Sequence, residues 1–322
     1  MPATEPTFVS CLAAAAQSPA KELAAGLLQG AARISPKFFY DELGSALFTA
    51  ITRLDEYYPT RTEAGVLGAE QGAIAQALRG RLGPGFTMLD LGAGDSAKAA
   101  SLFPTLQPGR YVAVDISEPY LREALTSLQR RFPDLPMTGV GLDFATHLQL
   151  PAGLIDGPAL VFYPGSSIGN FGPDEAWRLL VQARVASQGG ALLIGADLVK
   201  PQPVLHAAYD DALGVTAAFN LNLLRNVNRL LGSDFDPADW AHRARVDVAQ
   251  GRVEMHLDAR RALTVRWPGG ERPFAAGEGI HTENSHKWTP ATFEALLRDA
   301  GWRDVRRFVD GRGWFGVFLA FA

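Results

Sequence analysis

A short apolar run that ends in a Gly-x-Gly turn is typical of a nucleotide-binding loop. The run from Met88 to Leu91 leads into Gly92 and Gly94. The backbone turns sharply there, and a residue without a Cβ lets a ligand approach it closely. About twenty residues further on, a second apolar run ends in Asp115. In a βαβ unit this carboxylate lies at the strand tip, where it can accept hydrogen bonds from both ribose hydroxyls of an adenosine.

Two kinds of ligand fit such a loop, a dinucleotide and a nucleoside that carries a sulfonium. A dinucleotide loop usually has a third glycine; Ala97 stands there, which some dinucleotide folds tolerate. Asp90 and Asp95 flank the turn, and their charge repels a pyrophosphate but suits a cationic cofactor. After a third apolar run, Asp143 can meet the adenine amino group while Phe144 packs on the ring. Together these residues favour S-adenosylmethionine over a dinucleotide, and a methyltransferase over a dehydrogenase.

The elements that position these residues alternate between short apolar runs and helical segments. The strand candidates are Thr87–Leu91, Tyr111–Ile116, Met137–Phe144, Ala159–Tyr163 and Ala191–Leu198. Such alternation implies parallel βαβ units, so we predict an α/β fold with a doubly wound, mostly parallel sheet. A helix that opens at Thr289 and a strand pair near residues 305–308 and 314–321 should close this sheet.

The pattern changes between Lys200 and Lys287, which we interpret as an inserted α+β lobe. It has a helical stretch near residues 205–231, then hairpin segments at Arg252–Leu257 and Leu263–Trp267, with Pro268–Gly270 as a turn signal. The first sixty residues are predicted to be mostly helical, with Thr60 and Glu63 as a capping box. We therefore predict a discontinuous substrate-binding domain and a cofactor-binding domain, with residues 1–60 plus 200–286 in the former and 61–199 plus 287–322 in the latter.

Composition excludes several classes of function. The 322 residues carry a net charge of −4 without a basic run, which argues against nucleic acid as a partner. A single cysteine, Cys11, excludes an intramolecular disulfide and a cysteine-based zinc site. The alanine-rich run beside it is too short and too weakly apolar for a signal peptide or a membrane span. We expect a cytoplasmic protein that acts as a monomer.

Three further segments carry more polar side chains than is usual for segments that only pack the core. They are Tyr163–Phe171 (YPGSSIGNF), Tyr209–Asn220 (YDDALGVTAAFN) and His281–Lys287 (HTENSHK). With these segments the sequence resembles the histidine Nα-methyltransferases of ergothioneine biosynthesis, which form hercynine. The resemblance runs through most of the chain and includes KFFYDELGS from Lys37, ITRLDEYYPTRTE from Ile51, DLVK from Asp197 and RVEM from Arg252. It implies a Rossmann-like class I methyltransferase fold.

The resemblance also implies a cofactor pocket and a pocket for the amino-acid head group. S-adenosylmethionine is expected to contact Tyr40, Gly92, Lys98, Asp115, Asp143 and Phe144. Tyr57, Asn170 and Tyr209 should hold the carboxylate and amine of the substrate, with Gly165 beside them. The Asn170 amide can accept a hydrogen bond from an amine N–H and so leave the amine lone pair directed at the methyl carbon.

The resemblance implies that Glu283, Ser285 and Met255 recognise the imidazole of L-histidine. A carboxylate facing one ring nitrogen and a hydroxyl facing the other penalise analogues that cannot pair with them. Met255 supplies soft apolar contact beside a flat ring. No metal is expected, although His281 and His286 flank Glu283.

The expected reaction is an in-line attack of the neutral α-amine on the sulfonium methyl, with Asn170 and Tyr40 as catalytic residues. S-adenosylhomocysteine leaves, and three rounds give the trimethylammonium betaine hercynine. Positioning at about 3–3.5 Å is the main catalytic demand. Two alternatives stay open: the same transfer to another amino acid, such as tryptophan or a histidine derivative, and a non-catalytic cofactor-binding protein.

Overall fold

The computed structural model describes residues 5–12 and 18–322, and the chain divides into two compact units. The first unit comprises Met1–Ala15, Pro59–Leu198 and Trp288–Ala322, and the second comprises Ala16–Tyr58 and Val199–Lys287. Among the described residues, no helix has both the length and the apolar character that crossing a bilayer requires.

The helices and strands are numbered in chain order. The helices are α1 (Pro19–Leu27), α2 (Glu42–Ile51), α3 (Tyr58–Leu82), α4 (Ala97–Leu106), α5 (Glu118–Arg131), α6 (Pro173–Ala186), α7 (Gln202–Tyr209), α8 (Val215–Leu231) and α9 (Pro290–Asp299). The strands are β1 (Thr7–Ser10), β2 (Thr87–Leu91), β3 (Arg110–Asp115), β4 (Met137–Gly141), β5 (Ala159–Tyr163), β6 (Ala191–Asp197), β7 (Trp240–Asp247), β8 (Arg252–Ala259), β9 (Leu263–Trp267), β10 (Gly270–Phe274), β11 (Gly279–His286), β12 (Arg303–Val309) and β13 (Phe315–Phe321).

The first unit is built on one eight-stranded sheet with the order β1-β4-β3-β2-β5-β6-β13-β12. The strands from β1 to β6 pair in parallel, and β13 and β12 close the sheet in antiparallel pairs. The central strands β5 and β6 are buried along their whole length because apolar clusters cover both faces of the sheet. This is the predicted doubly wound α/β fold. The strand order reverses between β2 and β5, and ligands bind at the carboxyl edge of such reversals.

The amino-terminal segment differs from the prediction. Residues 1–60 were assigned to the substrate-binding domain, but the chain places β1 in the sheet of the first unit, where Phe8 pairs with Gly139 of β4. A Cβ at Gly139 would lie 2.6 Å from the Phe8 ring, so the glycine makes room for this aromatic side chain. A four-residue strand is too short to give a clear alternating pattern in sequence.

The second unit contains the three-stranded antiparallel sheet β11-β8-β7 and the two-stranded ribbon β10-β9. Residues Pro268 and Gly269 turn the chain between β9 and β10, as the turn signal indicated. Both predicted hairpin segments are strands: β8 pairs with β7 and β11, and β9 pairs with β10. The long predicted helix is broken in two. Asp211 accepts hydrogen bonds from the backbone N–H groups of Val215 and Thr216 and thereby starts α8 afresh.

Candidate functional site

The glycine turn after β2 has the backbone conformation that the sequence predicted. Gly92 and Gly94 have φ angles of 69° and 54°, in the left-handed region that favours glycine. The Gly92 N–H donates to the Val114 carbonyl oxygen at 2.9 Å, which holds the turn against β3. A Cβ at Gly92 would lie 3.6 Å from Cζ of Phe144. The turn and the Phe144 ring therefore lie together at the carboxyl edge of the sheet.

Asp115 ends β3 and joins the same edge. Its Oδ2 accepts from the Gly94 N–H at 2.9 Å, and its Oδ1 accepts from the Ser117 N–H at 2.8 Å. Burial raises the pKa of Asp115, and these backbone donors oppose that shift. The backbone N–H of Ile116 also donates to this carboxylate. A carboxylate has about four acceptor sites, so capacity remains for a further donor such as a ribose hydroxyl.

Phe144 and Asp143 follow β4, which ends at Gly141. The Phe144 ring packs edge-on against Tyr163, with ring centroids 5.8 Å apart. The Leu142 N–H donates to the Asp115 carbonyl oxygen at 3.0 Å, which ties this loop to the end of β3. The structure therefore brings together the predicted cofactor residues Gly92, Asp115 and Phe144, with Asp143 adjacent in the chain.

Asp90 lies buried in β2, before the glycine turn, and not at the surface of the loop. The side chain is 2% exposed, and its Oδ2 accepts from the Tyr111 hydroxyl at 2.7 Å. No hydrogen-bond partner reaches its Oδ1 within residues 5–12 and 18–322. Burial raises the pKa of Asp90 from 3.8 to about 7, against the lowering effect of the Tyr111 hydrogen bond. Asp90 is thus a structural carboxyl behind the turn.

Lys98, a predicted cofactor ligand, forms an ion pair that sequence reasoning missed. Its Nζ lies 2.6 Å from Oε2 of Glu63, and the other carboxylate oxygen of Glu63 accepts from the Gly165 N–H at 2.7 Å. Glu63 is 1% exposed, and a Cβ at Gly195 would lie 2.1 Å from its Oε1, so Gly195 leaves room for the carboxylate. The sequence predicts Glu63 as part of a capping box, but α3 begins at Tyr58, before Thr60. The Glu63 carboxylate instead accepts hydrogen bonds from Lys98 and from the Gly165 N–H.

The loop between β5 and α6 carries the predicted Gly165 and Asn170. Gly165 has a φ of 81°, and a Cβ there would lie 3.2 Å from the Lys98 Nζ. The Ser166 hydroxyl accepts from the Asp197 N–H at 2.8 Å, which anchors the loop to the end of β6. A single 3-10 turn, Ser167–Asn170, then presents Asn170, whose side chain is half-buried. Asn170 therefore ends a loop that is anchored at both Gly165 and Ser166.

In the second unit, Met255, Glu283 and Ser285 share one face of the antiparallel sheet. Met255 of β8 is the direct partner of Glu283 of β11, and Ser285 lies two residues further along the strand. Directly opposed residues, and residues two apart on a strand, point to the same face. A register shift between His281 and Glu283 sets this alignment. All three predicted ring-recognition residues are buried.

Tyr209 contacts this face at Ser285. The Tyr209 hydroxyl donates to the Ser285 Oγ at 2.6 Å, and the Lys287 Nζ donates to both oxygens, at 2.8 and 2.7 Å. Lys287 is 6% exposed and was not singled out from the sequence. Its only sequence signal was its place at the end of the polar run that contains Glu283.

Tyr40 and Tyr57 belong to an aromatic cluster of the second unit. Phe48 of α2 packs edge-on against both, with centroids 5.8 Å from Tyr40 and 6.2 Å from Tyr57. The Tyr57 ring in turn lies 6.4 Å from that of Tyr209. The predicted head-group ligands Tyr57 and Tyr209 are thus neighbours. Tyr40, predicted for the cofactor, lies in the same unit as they do, whereas the other predicted cofactor residues lie in the first unit.

No cluster of three or more His, Cys, Asp or Glu side chains suited to a metal occurs in the described ranges 5–12 and 18–322. His281 instead pairs with Asn284, its Nε2 lying 2.9 Å from the amide oxygen. Burial lowers the pKa of His281.

Comparison with known proteins adds independent findings. A family model described as "Histidine-specific methyltransferase, SAM-dependent" matches residues 19–322. The chain is 40% identical over 314 residues to the histidine N-alpha-methyltransferase of Mycolicibacterium smegmatis, covering 95% of each. It is 39% identical over 308 residues to the protein of that name from Mycobacterium tuberculosis, covering 93% of this chain and 94% of the relative. A crystal structure of a protein from Pyrococcus horikoshii aligns with a TM-score of 0.50 at 15% identity, covering 88% of this chain and 99% of that one, which is a likeness of fold.

Replacing Asp90 should change how stability depends on pH. The folded carboxyl keeps its proton up to a pKa of about 7, whereas the unfolded one loses it near 3.8. Between these values a rise in pH favours the unfolded wild-type chain. The stability of Asp90→Asn relative to wild type should therefore rise by up to about 1.4 kcal/mol per pH unit, and no further above about pH 7. Urea unfolding at several pH values measures this. The exposed Asp134→Asn variant should show no such trend, and an Asp90→Asn difference that is constant with pH would contradict the burial argument.

The Glu63→Gln variant should lose about 1–3 kcal/mol of stability, since an amide has one oxygen for two donors. Its NH₂ group must face either the Lys98 ammonium or the Gly165 N–H. Denaturant midpoints measure the loss. Glu175→Gln is the matched control because Glu175 also accepts from a backbone N–H, that of Gly172, but is exposed, so its loss should be smaller. Equal losses of unfolding free energy in the two variants would show that the burial of Glu63 does not add to the stabilising effect of its hydrogen bonds.

Proposed function

The chain belongs to the histidine-specific, S-adenosylmethionine-dependent methyltransferases, and we propose that it methylates the α-amine of L-histidine three times to give hercynine. The observation that carries this proposal is the shared face of Met255, Glu283 and Ser285 in the second unit. A buried carboxylate and a buried hydroxyl beside an apolar wall suit a flat ring with two polar nitrogens. Hercynine formation places the enzyme in ergothioneine biosynthesis, and a relative in Schizosaccharomyces pombe is named ergothioneine biosynthesis protein 1 (30% identical over 239 residues, 70% of this chain and 30% of that protein).

The first unit fits the adenosine part of the cofactor. Gly92 leaves its turn open toward Phe144, and the Asp115 carboxylate retains acceptor capacity after bonding the backbone N–H groups of Gly94, Ile116 and Ser117. We assign the ribose hydroxyls to Asp115, the adenine to Asp143 and Phe144, and the amino-acid end to Lys98 with Tyr40. S-adenosylmethionine supplies an activated methyl group when bound, and S-adenosylhomocysteine is the product.

The second unit is proposed to be the substrate-binding unit. Glu283 accepts from an imidazole N–H, Ser285 meets the other ring nitrogen, and Met255 packs on the ring face. Tyr57, Tyr209, Gly165 and Asn170 are the residues that we assign to the carboxylate and amine of histidine. We further propose that the enzyme acts as a monomer in the cytoplasm, which supplies the cofactor.

Asn170 is assigned the orienting role at the amine. Its amide oxygen accepts one amine N–H and so directs the nitrogen lone pair, and the anchored loop limits its movement. The amine sheds one proton in each round, and a tyrosine hydroxyl, that of Tyr40 in our assignment, or bound water can carry it away. Orientation therefore contributes more than base strength in this site.

Mass spectrometry of products tests the proposed function. The protein is incubated with S-adenosylmethionine and a mixture of the common amino acids. We expect a gain of three methyl groups on histidine alone. Methylation of another amino acid, such as tryptophan, would show that this amino acid and not histidine is the substrate. The absence of any methylated product would indicate a cofactor-binding protein without this activity.

The Asn170→Ala variant should lower kcat by about a hundredfold, because small misplacements of a reacting group have effects of this size. The dissociation constant for S-adenosylmethionine should change little, since the cofactor is assigned to other residues. Steady-state kinetics and calorimetry give the two quantities. Ser167→Ala, an exposed neighbour in the same 3-10 turn, is the control and should keep its turnover. Wild-type turnover in Asn170→Ala would rule out the orienting role.

A further inference from the structure

Lys287 is a buried cation that the proposed reaction leaves without a role. It follows β11 directly, is 6% exposed, and its Nζ lies 4.7 Å from the centre of the Tyr209 ring. Burying an ammonium is unfavourable unless polar groups surround it. The Ser285 Oγ at 2.7 Å and the Tyr209 hydroxyl oxygen at 2.8 Å are such groups. Two of its partners are thus residues that we assign to the substrate.

The direction of the two lysine hydrogen bonds follows from the chemistry of the ammonium. A lysine ammonium has three donors and no acceptor, so both hydroxyl oxygens accept from Lys287. The Tyr209 hydroxyl in turn donates to the Ser285 Oγ at 2.6 Å. A serine hydroxyl has two lone pairs and one proton. Because Ser285 accepts from both Lys287 and Tyr209, its remaining capacity is the donation of its own proton.

We propose that Lys287 is a specificity-determining positioning residue, which keeps Ser285 a hydrogen-bond donor and so selects the neutral imidazole of the substrate. The inference rests on the proposed function. A neutral ring has one N–H, which Glu283 can accept, and one bare nitrogen, which accepts from Ser285. An imidazolium has two N–H groups, and its second N–H meets the Ser285 proton with no lone pair free to receive it.

The other charged groups around Ser285 do not remove this constraint. Glu283 shares its face and favours a cationic ring, whereas the Lys287 ammonium disfavours one. Tyr209 reaches Ser285 from α7, and Tyr57 packs against Tyr209. On β8, this face carries Val253, Met255, Leu257 and Ala259, whereas Arg252, Glu254 and His256 alternate to the opposite face. On β7, His242 shares this face, two residues from the Met255 partner Ala244; its Nε2 lies 2.8 Å from the Tyr209 carbonyl oxygen, and burial lowers its pKa. Because the Lys287 ammonium and the Glu283 carboxylate have opposite effects on a cationic ring, the direction of the Ser285 hydrogen bond decides which protonation state of the ring is bound.

Selection of the neutral ring predicts a pH-dependent affinity. With a side-chain pKa of about 6.5, about a tenth of histidine has a neutral ring at about pH 5.5 and about nine tenths at about pH 7.5. The dissociation constant of L-histidine should therefore fall about tenfold between these pH values. In Lys287→Met, one lone pair of Ser285 becomes free to accept an imidazolium N–H, so the change should shrink to about threefold or less.

Isothermal calorimetry with L-histidine at both pH values tests this on the full chain. Lys200→Met is the matched control because it removes another buried ammonium of the second unit, one that lies over the Tyr58 ring, and it should keep the tenfold change. The proposal is overturned if the wild-type affinity is constant or strengthens at low pH. It is equally overturned if folded Lys287→Met keeps the wild-type pH dependence.

A second measurement needs no variant and decides the case if Lys287→Met does not fold. 3-(1,2,4-Triazol-3-yl)alanine carries the same α-amine and carboxylate, but its ring stays neutral across this pH range. The wild-type protein should bind it with little pH dependence, whereas an equal tenfold change for both ligands would place the titration in the protein and overturn the inference. Failure of the proposed function is separate, because it appears as absence of histidine methylation at about pH 7.5.

Discussion

The reversal of strand order between β2 and β5 is the constraint on which the first unit depends. The two strands are parallel neighbours, so the loop with Gly92 and the loop with Gly165 leave the sheet at the same edge. The buried carboxylate of Glu63 then joins this arrangement, since it bonds the Gly165 N–H and the Lys98 ammonium together. A buried carboxylate with both oxygens used favours one loop geometry, because any other leaves a charge or a donor without a partner. The position of Asn170, five residues after Gly165 in the same loop, follows from that geometry.

In the second unit, the candidate site residues are positioned by the register of antiparallel strands and not by the ends of parallel strands. Pairing of β8 with β11 sets Met255 opposite Glu283, and the two-residue period of a strand adds Ser285 to the same face. The register shift after His281 matters here, since a slip of one residue moves every side chain to the other face. Backbone pairing thereby aligns the three residues that we propose for ring recognition, and the rings of Tyr57 and Tyr209 pack against each other in the same unit.

Much of the fold follows from sequence because the buried strands are continuous apolar runs with glycine turns at their ends. The β2 and β3 runs, and with them Gly92 and Asp115, were identified in this way. Pairing between distant segments was harder to predict. The pairing of β8 with β11 was not predicted, because a turn signal specifies neighbours in the chain and not in the sheet. Glu63 was interpreted locally as a cap, although its partners lie 35 and 102 residues away. Contacts of this kind leave no periodic signature.

Three buried ionisable side chains show why such contacts matter for chemistry. Among the described residues, the Asp90 carboxyl has one hydroxyl partner and one oxygen without a partner, and burial raises its pKa to about 7, so it is partly protonated near neutral pH. Glu63 has a cation and a backbone donor, which is the pairing that a buried carboxylate requires. Lys287 acts in a different way, because its fixed donors determine which atoms of Ser285 and Tyr209 remain available. Residue type and spacing predict the groups that contact a ligand. The hydrogen-bond direction at Ser285 is set by its buried neighbours Lys287 and Tyr209, and we infer that this direction decides which protonation state of the ring is bound.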